Sequence, residues 1–166
     1  MTVANSIYDI CVWLEASSVA TKIAESIWMF PTLETIHVLA LTMVMGSIAM
    51  LDLRLLGISG RQVGAMQLSA EVLPWTWGAF LIAAISGSLL FVSAATKYYE
   101  NLPFQIKLVL LALAGVNMMV LHLGAWRSVE HWDMTLPTPF GVRVAATLSL
   151  LFWIGVVFAG RWIGFT

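Results

Sequence analysis

The chain has 166 residues, of which 60% are hydrophobic and 10% are charged, and its formal net charge is −1. Its mean hydropathy is +0.91. Soluble domains carry about 25% charged residues, so the composition excludes an ordinary water-soluble protein and indicates an integral membrane protein. The near-neutral charge gives no electrostatic basis for binding nucleic acid, and a single cysteine excludes an internal disulfide.

The first segment, residues 5–25, is the least apolar part of the chain. Ile7, Ile10 and Leu14 recur at helical spacing, and Trp13 is a residue type that anchors helices at membrane surfaces. We therefore predict an amphipathic helix that lies in the membrane interface. Because no positively charged stretch or small-residue cleavage site accompanies it, we expect no cleaved signal peptide.

Four apolar stretches follow, each long enough to cross a bilayer as a helix. The predicted spans are about 28–57, 75–96, 104–126 and 140–163, with a polar loop over 58–73 and Pro74 opening the second span. The predicted fold is a single membrane domain over 1–166, all-α, with four transmembrane helices plus the N-terminal interfacial helix.

Four spans place both termini on one side of the membrane, here called the terminal side. The connections between the first and second spans and between the third and fourth lie on the opposite, loop side. The lysines and arginines divide equally between the two sides, so the sequence leaves the orientation open.

Ionisable groups inside the predicted spans are the candidate site residues, because burying them in hydrocarbon is costly. His37 lies six residues past Pro31, roughly 9 Å from the terminal side. Lys107 lies at nearly the same level on the third span, and Glu34 precedes His37 by about one turn. We predict a terminal-side site formed by these three side chains. The alternatives are a structural His37 and a Lys107 that extends to the lipid headgroups.

His122 lies roughly 27 Å along the third span, so straight helices prevent it from sharing one haem with His37. A second, loop-side site therefore consists of His122, with His131, Asp52 and Arg54 within reach. In the structural alternative to this site, His122 faces water, and Asp52 and Arg54 pair with each other or cap the end of their helix.

Several other residues have both a packing and a functional interpretation. Trp153 near mid-membrane either packs on neighbouring helices or contacts a planar cofactor. The spans contain several methionines, a residue type that binds Cu(I): Met43, Met45, Met50, Met118 and Met119. They do not repeat on one helix face, so we expect them to fill the core rather than to bind copper.

Three motifs carry a resemblance to known families. They are E-T-I-H-V-L-A-L-T-M-V-M-G over 34–46, L-D-L-R-L-L-G over 51–57 and P-F-Q-I-K-L-V-L-L-A-L-A-G-V-N over 103–117. Together they resemble a bacterial family of small four-helix membrane proteins of unknown function. More distantly, the histidine of the first span and the Lys-Leu of the third are similar to HemJ-type protoporphyrinogen oxidases, which bind haem b. That resemblance implies that His37 is the haem-ligating or catalytic histidine and Lys107 its lysine partner. A weaker resemblance is to CopD-type copper-resistance domains, through His37 and Gly46.

The functional expectation is a haem b-binding redox protein of the bacterial inner membrane, an oxidoreductase if it is an enzyme. His37 supplies an axial ligand, Lys107, water or nothing fills the second position, and Glu34 tunes the iron. Electrons pass between a membrane quinone and a small hydrophobic substrate, a porphyrin if the HemJ likeness holds. One alternative is a copper-handling domain that uses His122, His131 and methionines. Another is a non-catalytic subunit whose small-residue faces on the second and fourth spans dock another membrane subunit or a second copy in a homo-oligomer.

Overall fold

A computed structural model describes residues 3–59, 62–133 and 137–165, and these residues form helices and turns without a strand. The helices in chain order are α1 (Val3–Glu15), α2 (Ser18–Glu25), α3 (Met29–Leu55), α4 (Ala65–Ser93), α5 (Ala95–Glu100), α6 (Leu102–Leu123), α7 (Val129–Trp132) and α8 (Phe140–Trp162). A short 3-10 turn joins α6 to α7, and another follows α8.

Four of these helices, α3, α4, α6 and α8, are long and apolar enough to cross a membrane. Their outward faces carry large apolar side chains that are more than half exposed, such as Leu39, Leu81, Val120 and Phe158. In lipid such side chains face hydrocarbon. The chain is therefore an integral membrane protein with four spanning helices, and the predicted fold class is confirmed.

Three helix contacts build the bundle. α3 packs along α4, α6 packs along α8, and α3 meets α8 to join the two pairs. The middle of the bundle is an apolar cluster to which all four spans contribute: Val44, Ala79, Ala114, Trp153 and Val156. Trp153, only 7% exposed, thus belongs to the packed core, as the simpler of its two interpretations predicts.

The second spanning helix begins earlier in the chain than the sequence predicts. The second span does not open at Pro74, because α4 already begins at Ala65 and carries Pro74 in its interior. The carboxylate of Asp133 accepts hydrogen bonds from the backbone N–H groups of Ala65 (2.5 Å) and Met66 (3.0 Å). The first N–H groups of a helix have no partner within the helix. Asp133 supplies that partner here, so residues that the sequence predicts as a polar loop form the first turns of α4. Ala65 is also part of the loop-side core, with Leu55, Val129, Trp132, Val142 and Ala146.

The N-terminal segment is two helices rather than one. The break at Ala16–Ser17 arises because the Ser17 side chain accepts a hydrogen bond from Ala20 N (3.3 Å) and caps α2. α1 packs on α5, and α2 packs on α4 and α3, while Trp13 is 73% exposed. An apolar exposed face on short helices outside the bundle is what an interfacial location requires.

A carboxylate ties α1 to α5. Glu15 Oε2 accepts hydrogen bonds from the Thr96 hydroxyl (2.6 Å) and the Thr96 backbone N–H (3.0 Å) in the first turn of α5. Both bonds favour the ionised carboxylate, so they lower the pKa of Glu15, the hydroxyl more than the backbone group.

Candidate functional site

The His37 ring faces α4 and is held there by two contacts. Its Nδ1 lies 2.9 Å from the carbonyl oxygen of Ala83 and 3.1 Å from the hydroxyl oxygen of Ser86. A carbonyl oxygen only accepts hydrogen bonds, so Nδ1 carries the proton. In the neutral ring, Nε2 therefore has the free lone pair.

Close approach of α4 makes this contact possible. A Cβ atom built on Gly87 would lie 2.8 Å from Cε1 of His37 and 3.2 Å from its Nδ1. Only glycine leaves room for the ring at that position, because real Cβ atoms do not come this close to another heavy atom. Ala83 and Ser86, both buried, complete the slot.

Lys107 of α6 occupies the other side of the ring. Its Nζ lies 3.4 Å from Nε2 of His37, and a Cβ on Gly160 of α8 would be in ordinary contact with the same Nζ at 3.6 Å. Since an amine or ammonium donates, Lys107 donates to the Nε2 lone pair. The prediction that Lys107 lies at the level of His37 is confirmed, and all four spans contribute to the contacts around the pair.

Glu34, the third residue of the predicted site, does not join His37 and Lys107. It is exposed and lines a shallow groove of about 270 Å³ with Thr35, Val38 and Leu39 on the outer face of α3. Its charge is felt instead by Tyr98 of α5, whose pKa is raised first by burial and second by Glu34. The terminal-side group thus consists of His37 and Lys107, and Glu34 lies apart from them on the outer face of α3.

An aromatic group closes the terminal side between α4, α5 and α6. The Phe91 and Phe104 rings are stacked at 5.5 Å between centroids, and Tyr98 lies 5.4 Å from Phe104. α6 begins beside this group, because the Asn101 side chain accepts the hydrogen bond of Phe104 N (2.9 Å). Phe104 precedes Lys107 by three residues on α6, so the aromatic rings lie about one helical turn closer to the terminal side than Lys107.

The predicted loop-side site is not assembled as expected. Nδ1 of His122 lies 2.9 Å from the carbonyl oxygen of Met118 in its own helix, and its ring is stacked on Trp126. His131 is exposed on α7. Within 3–59, 62–133 and 137–165, no group of three or more His, Cys, Asp or Glu side chains is arranged to hold a metal ion.

Of the two structural alternatives for Asp52 and Arg54, pairing with each other or capping the end of their helix, the pairing is not observed, because Arg54 pairs with Asp133. Arg54 Nη2 lies 3.2 Å from Oδ1 of Asp133, and both side chains are nearly buried, at 6% and 11% exposure. The guanidinium also donates to the carbonyl oxygens of Asp133 (3.0 Å) and Val63 (2.5 Å). Arg54 thus joins the end of α3 to the start of α4 and the end of α7, and Asp52 is separate from this network.

The methionines are mostly not core residues, contrary to expectation. Met45 packs against the mid-bundle cluster, but the others are 40–57% exposed: Met43, Met50, Met118 and Met119. These four side chains face outward, where lipid lies, because a span surrounded by hydrocarbon gains nothing from turning them inward.

The small residues of the second and fourth spans are largely used inside the chain. Ala79, Ala145 and Ala146 are buried, and Gly155 is packed against Leu110 of α6. The faces predicted to dock a partner are therefore the faces that hold the bundle together.

Sequence reasoning did not identify Ala83, Ser86 and Gly87 as partners of His37, nor Asp133 as the partner of Arg54. A signal existed for the first group, since a Ser-Gly pair inside a span permits close approach of another helix. No local signal marks Asp133, which follows the short helix α7 and meets residues about 70 positions earlier.

The chain belongs to a family of unknown function (DUF6644), which matches residues 10–166. This confirms the resemblance to a family of unknown function. No curated protein and no solved structure matches the chain.

Proposed function

We propose that the chain is a haem b-binding redox protein of the bacterial inner membrane, in which Nε2 of His37 would hold the haem iron. The supporting observation is the anchoring of Nδ1 by the Ala83 carbonyl and Ser86, which directs the Nε2 lone pair toward α6. The proposal further includes electron exchange between a membrane quinone and a small hydrophobic substrate such as a porphyrin.

The donor arrangement fits a metal-ligating histidine. Such histidines donate their second ring N–H to a carbonyl or carboxylate, which fixes the tautomer and the ring orientation. His37 has this arrangement with a backbone carbonyl already in place. A bound haem supplies one-electron chemistry, whose potential is set by the ligand, by burial and by nearby charge.

The other residues have defined tasks under this proposal. Ser86 and Ala83 keep the ring from rotating, and the absent side chain of Gly87 gives it room. Lys107, whose Nζ faces Nε2 at 3.4 Å, has to swing its flexible end away for the ligand atom to be free. Its charge then becomes available to a carboxylate of the cofactor or the substrate.

Copper handling is supported less well by the same contacts. Cu(I) favours several soft ligands around one point, whereas four of the methionines face outward and His122 stacks on Trp126.

A role for the chain as a subunit of a larger membrane complex, or as a homo-oligomer, is compatible with the proposal and would place the partner on the lipid-facing surfaces.

The test is the visible spectrum of the purified protein from haem-replete cells, oxidised and reduced. We expect a Soret band that is lost in His37→Ala and retained in His122→Ala, the matched histidine control on α6. Added imidazole should restore the band in His37→Ala, which separates loss of a ligand from loss of the fold. A colourless wild-type protein that also fails to bind added haemin would refute the proposal.

A further inference from the structure

A second ionisable group is buried in the bundle, far from His37. Asp52 is 5% exposed and lies three residues before the end of α3. Its Oδ2 atom is buried and has no hydrogen-bond partner, and it is the one such side-chain atom in the described ranges 3–59, 62–133 and 137–165. The side chain of Ser149 on α8 is the polar group that acts on this carboxyl group.

The surroundings of Asp52 along α3 are apolar. Ile48, one turn before it, packs on the mid-bundle cluster, and Leu55, nearly one turn after it, belongs to the loop-side core. Asp52 therefore lies on α3 between two hydrophobic layers.

The cations near this end of α3 are committed elsewhere or point outward. Arg54 binds Asp133 and the Val63 carbonyl, and Arg143 of α8 is exposed. The other charged or titratable groups that the structure describes on α2, α4, α6, α7 and α8 are exposed or half-exposed: Glu71 on α4, His122 on α6, Glu130 and His131 on α7, and, toward the opposite end of the bundle, Lys22 and Glu25 on α2, Lys107 on α6 and Arg161 on α8. An ionised Asp52 would have no counter-charge to offset its desolvation.

We propose that Asp52 and Ser149 form a proton-binding site in the loop-side half of the bundle, in which the carboxyl group is held as the neutral acid. An isolated buried carboxylate costs far more free energy than a neutral acid with one hydrogen bond. The equilibrium is the simple one, a carboxylate plus a proton giving the acid. The end of α3 is roughly 5 Å away by helical rise, so loop-side water is the source and the sink of the proton.

A proton fits this site better than a metal cation. Hard cations take about six or more oxygen ligands, whereas Asp52 and Ser149 offer the carboxyl and hydroxyl oxygens alone. The site is also separate from the proposed redox site, because Asp52 and His37 are 15 positions apart on α3, which is roughly 22 Å along the helix. Its existence does not depend on haem.

The experiment is infrared difference spectroscopy on the full chain in lipid nanodiscs, titrated from about pH 5 to about pH 9 around the usual range of side-chain titration. We expect a protonated-carboxyl band at neutral pH that shifts in heavy water. This band should be lost in Asp52→Asn, shifted in Ser149→Ala and unchanged in Glu71→Gln, an exposed carboxyl on the neighbouring helix α4.

Three results would overturn the proposal: no protonated-carboxyl band at neutral pH, a band that persists in Asp52→Asn, or a titration that moves when sodium replaces potassium. The last result would identify a cation site instead. If Asp52→Asn does not fold, the shift of the band in Ser149→Ala and its absence of response to Glu71→Gln still decide the assignment.

Discussion

The tautomer of His37 follows from a single carbonyl group. Because the Ala83 oxygen can only accept, the proton lies on Nδ1, and the chemistry left to the ring is that of the Nε2 lone pair. Lys107 is the side chain that faces this lone pair. Any ligand of His37 must therefore compete with a flexible amine rather than with a fixed backbone group.

The slot for the ring depends on the missing side chain at Gly87. In Gly87→Ala the new Cβ would lie 2.8 Å from Cε1 of His37, so the ring or α4 has to shift. Overpacking of this kind costs about 1–3 kcal/mol. Gly78→Ala on the same helix is the matched control, since its Cβ would meet nothing within 4 Å.

The measurement is thermal unfolding of both variants in the same detergent, with the Soret band as a second readout. Gly78→Ala should be neutral or slightly stabilising, because alanine is the better helix former. Gly87→Ala should be less stable than Gly78→Ala by about 1–3 kcal/mol and should lose absorbance. Equal stability of the two variants would show that the slot is not tight.

The start of α4 depends on a residue about 70 positions later. In Asp133→Ala, Ala65 and Met66 lose their acceptor and Arg54 is left nearly buried without its carboxylate. Removing one partner of a buried pair costs about 3–5 kcal/mol. We expect a loss of this size in the free energy of unfolding.

Glu71→Ala is the control for this loss, because Glu71 is exposed on the same helix and should matter by no more than about 0.5 kcal/mol. In Arg54→Met/Asp133→Ala, part of the stability should return, since no unpaired charge stays buried. A double variant no better than Asp133→Ala would contradict the unpaired-charge explanation.

The link between α1 and α5 is sensitive to acid. The hydrogen bonds from Thr96 hold the pKa of Glu15 below its usual value. Since the folded pKa is the lower one, the stabilisation is fully present above the unfolded pKa of about 4.3 and is lost as pH falls through the folded pKa. Glu15→Gln should therefore be less stable than the wild type at neutral pH, by less than about 1 kcal/mol because the carboxylate is half-exposed and screened.

This difference between Glu15→Gln and the wild type should close as unfolding is measured at successively lower pH. Glu100→Gln, an exposed carboxyl on α5, serves as the control and should show no comparable trend. A gap that stays constant down to the lowest accessible pH would mean that the charge of Glu15 is not what holds α1.

What the sequence could predict depends on the distance over which each contact acts. Apolar runs of membrane length gave the four spans, and helical rise alone brought Lys107 to the level of His37, because both lie on uninterrupted helices. The start of α4 was missed because its cap, Asp133, lies in the connection between α6 and α8, far from α4 in the sequence. The slot at Gly87 was missed because it depends on how α3 and α4 rotate against each other, which no local pattern fixes.

For the molecule as a whole, the four spans require that its exposed segments divide between two sides of the membrane. In a Cys11→Ala background, cysteines at Ser59 and Arg127 lie at the α3–α4 and α6–α7 connections, and cysteines at Lys22 and Lys97 lie on α2 and α5. A membrane-impermeant thiol reagent applied to sealed vesicles should label one pair and spare the other until detergent is added. Labelling of Ser59→Cys and Lys97→Cys from the same side would mean that α4, which separates them, does not cross the membrane. That result would contradict the four-span bundle in which Lys107 lies next to His37.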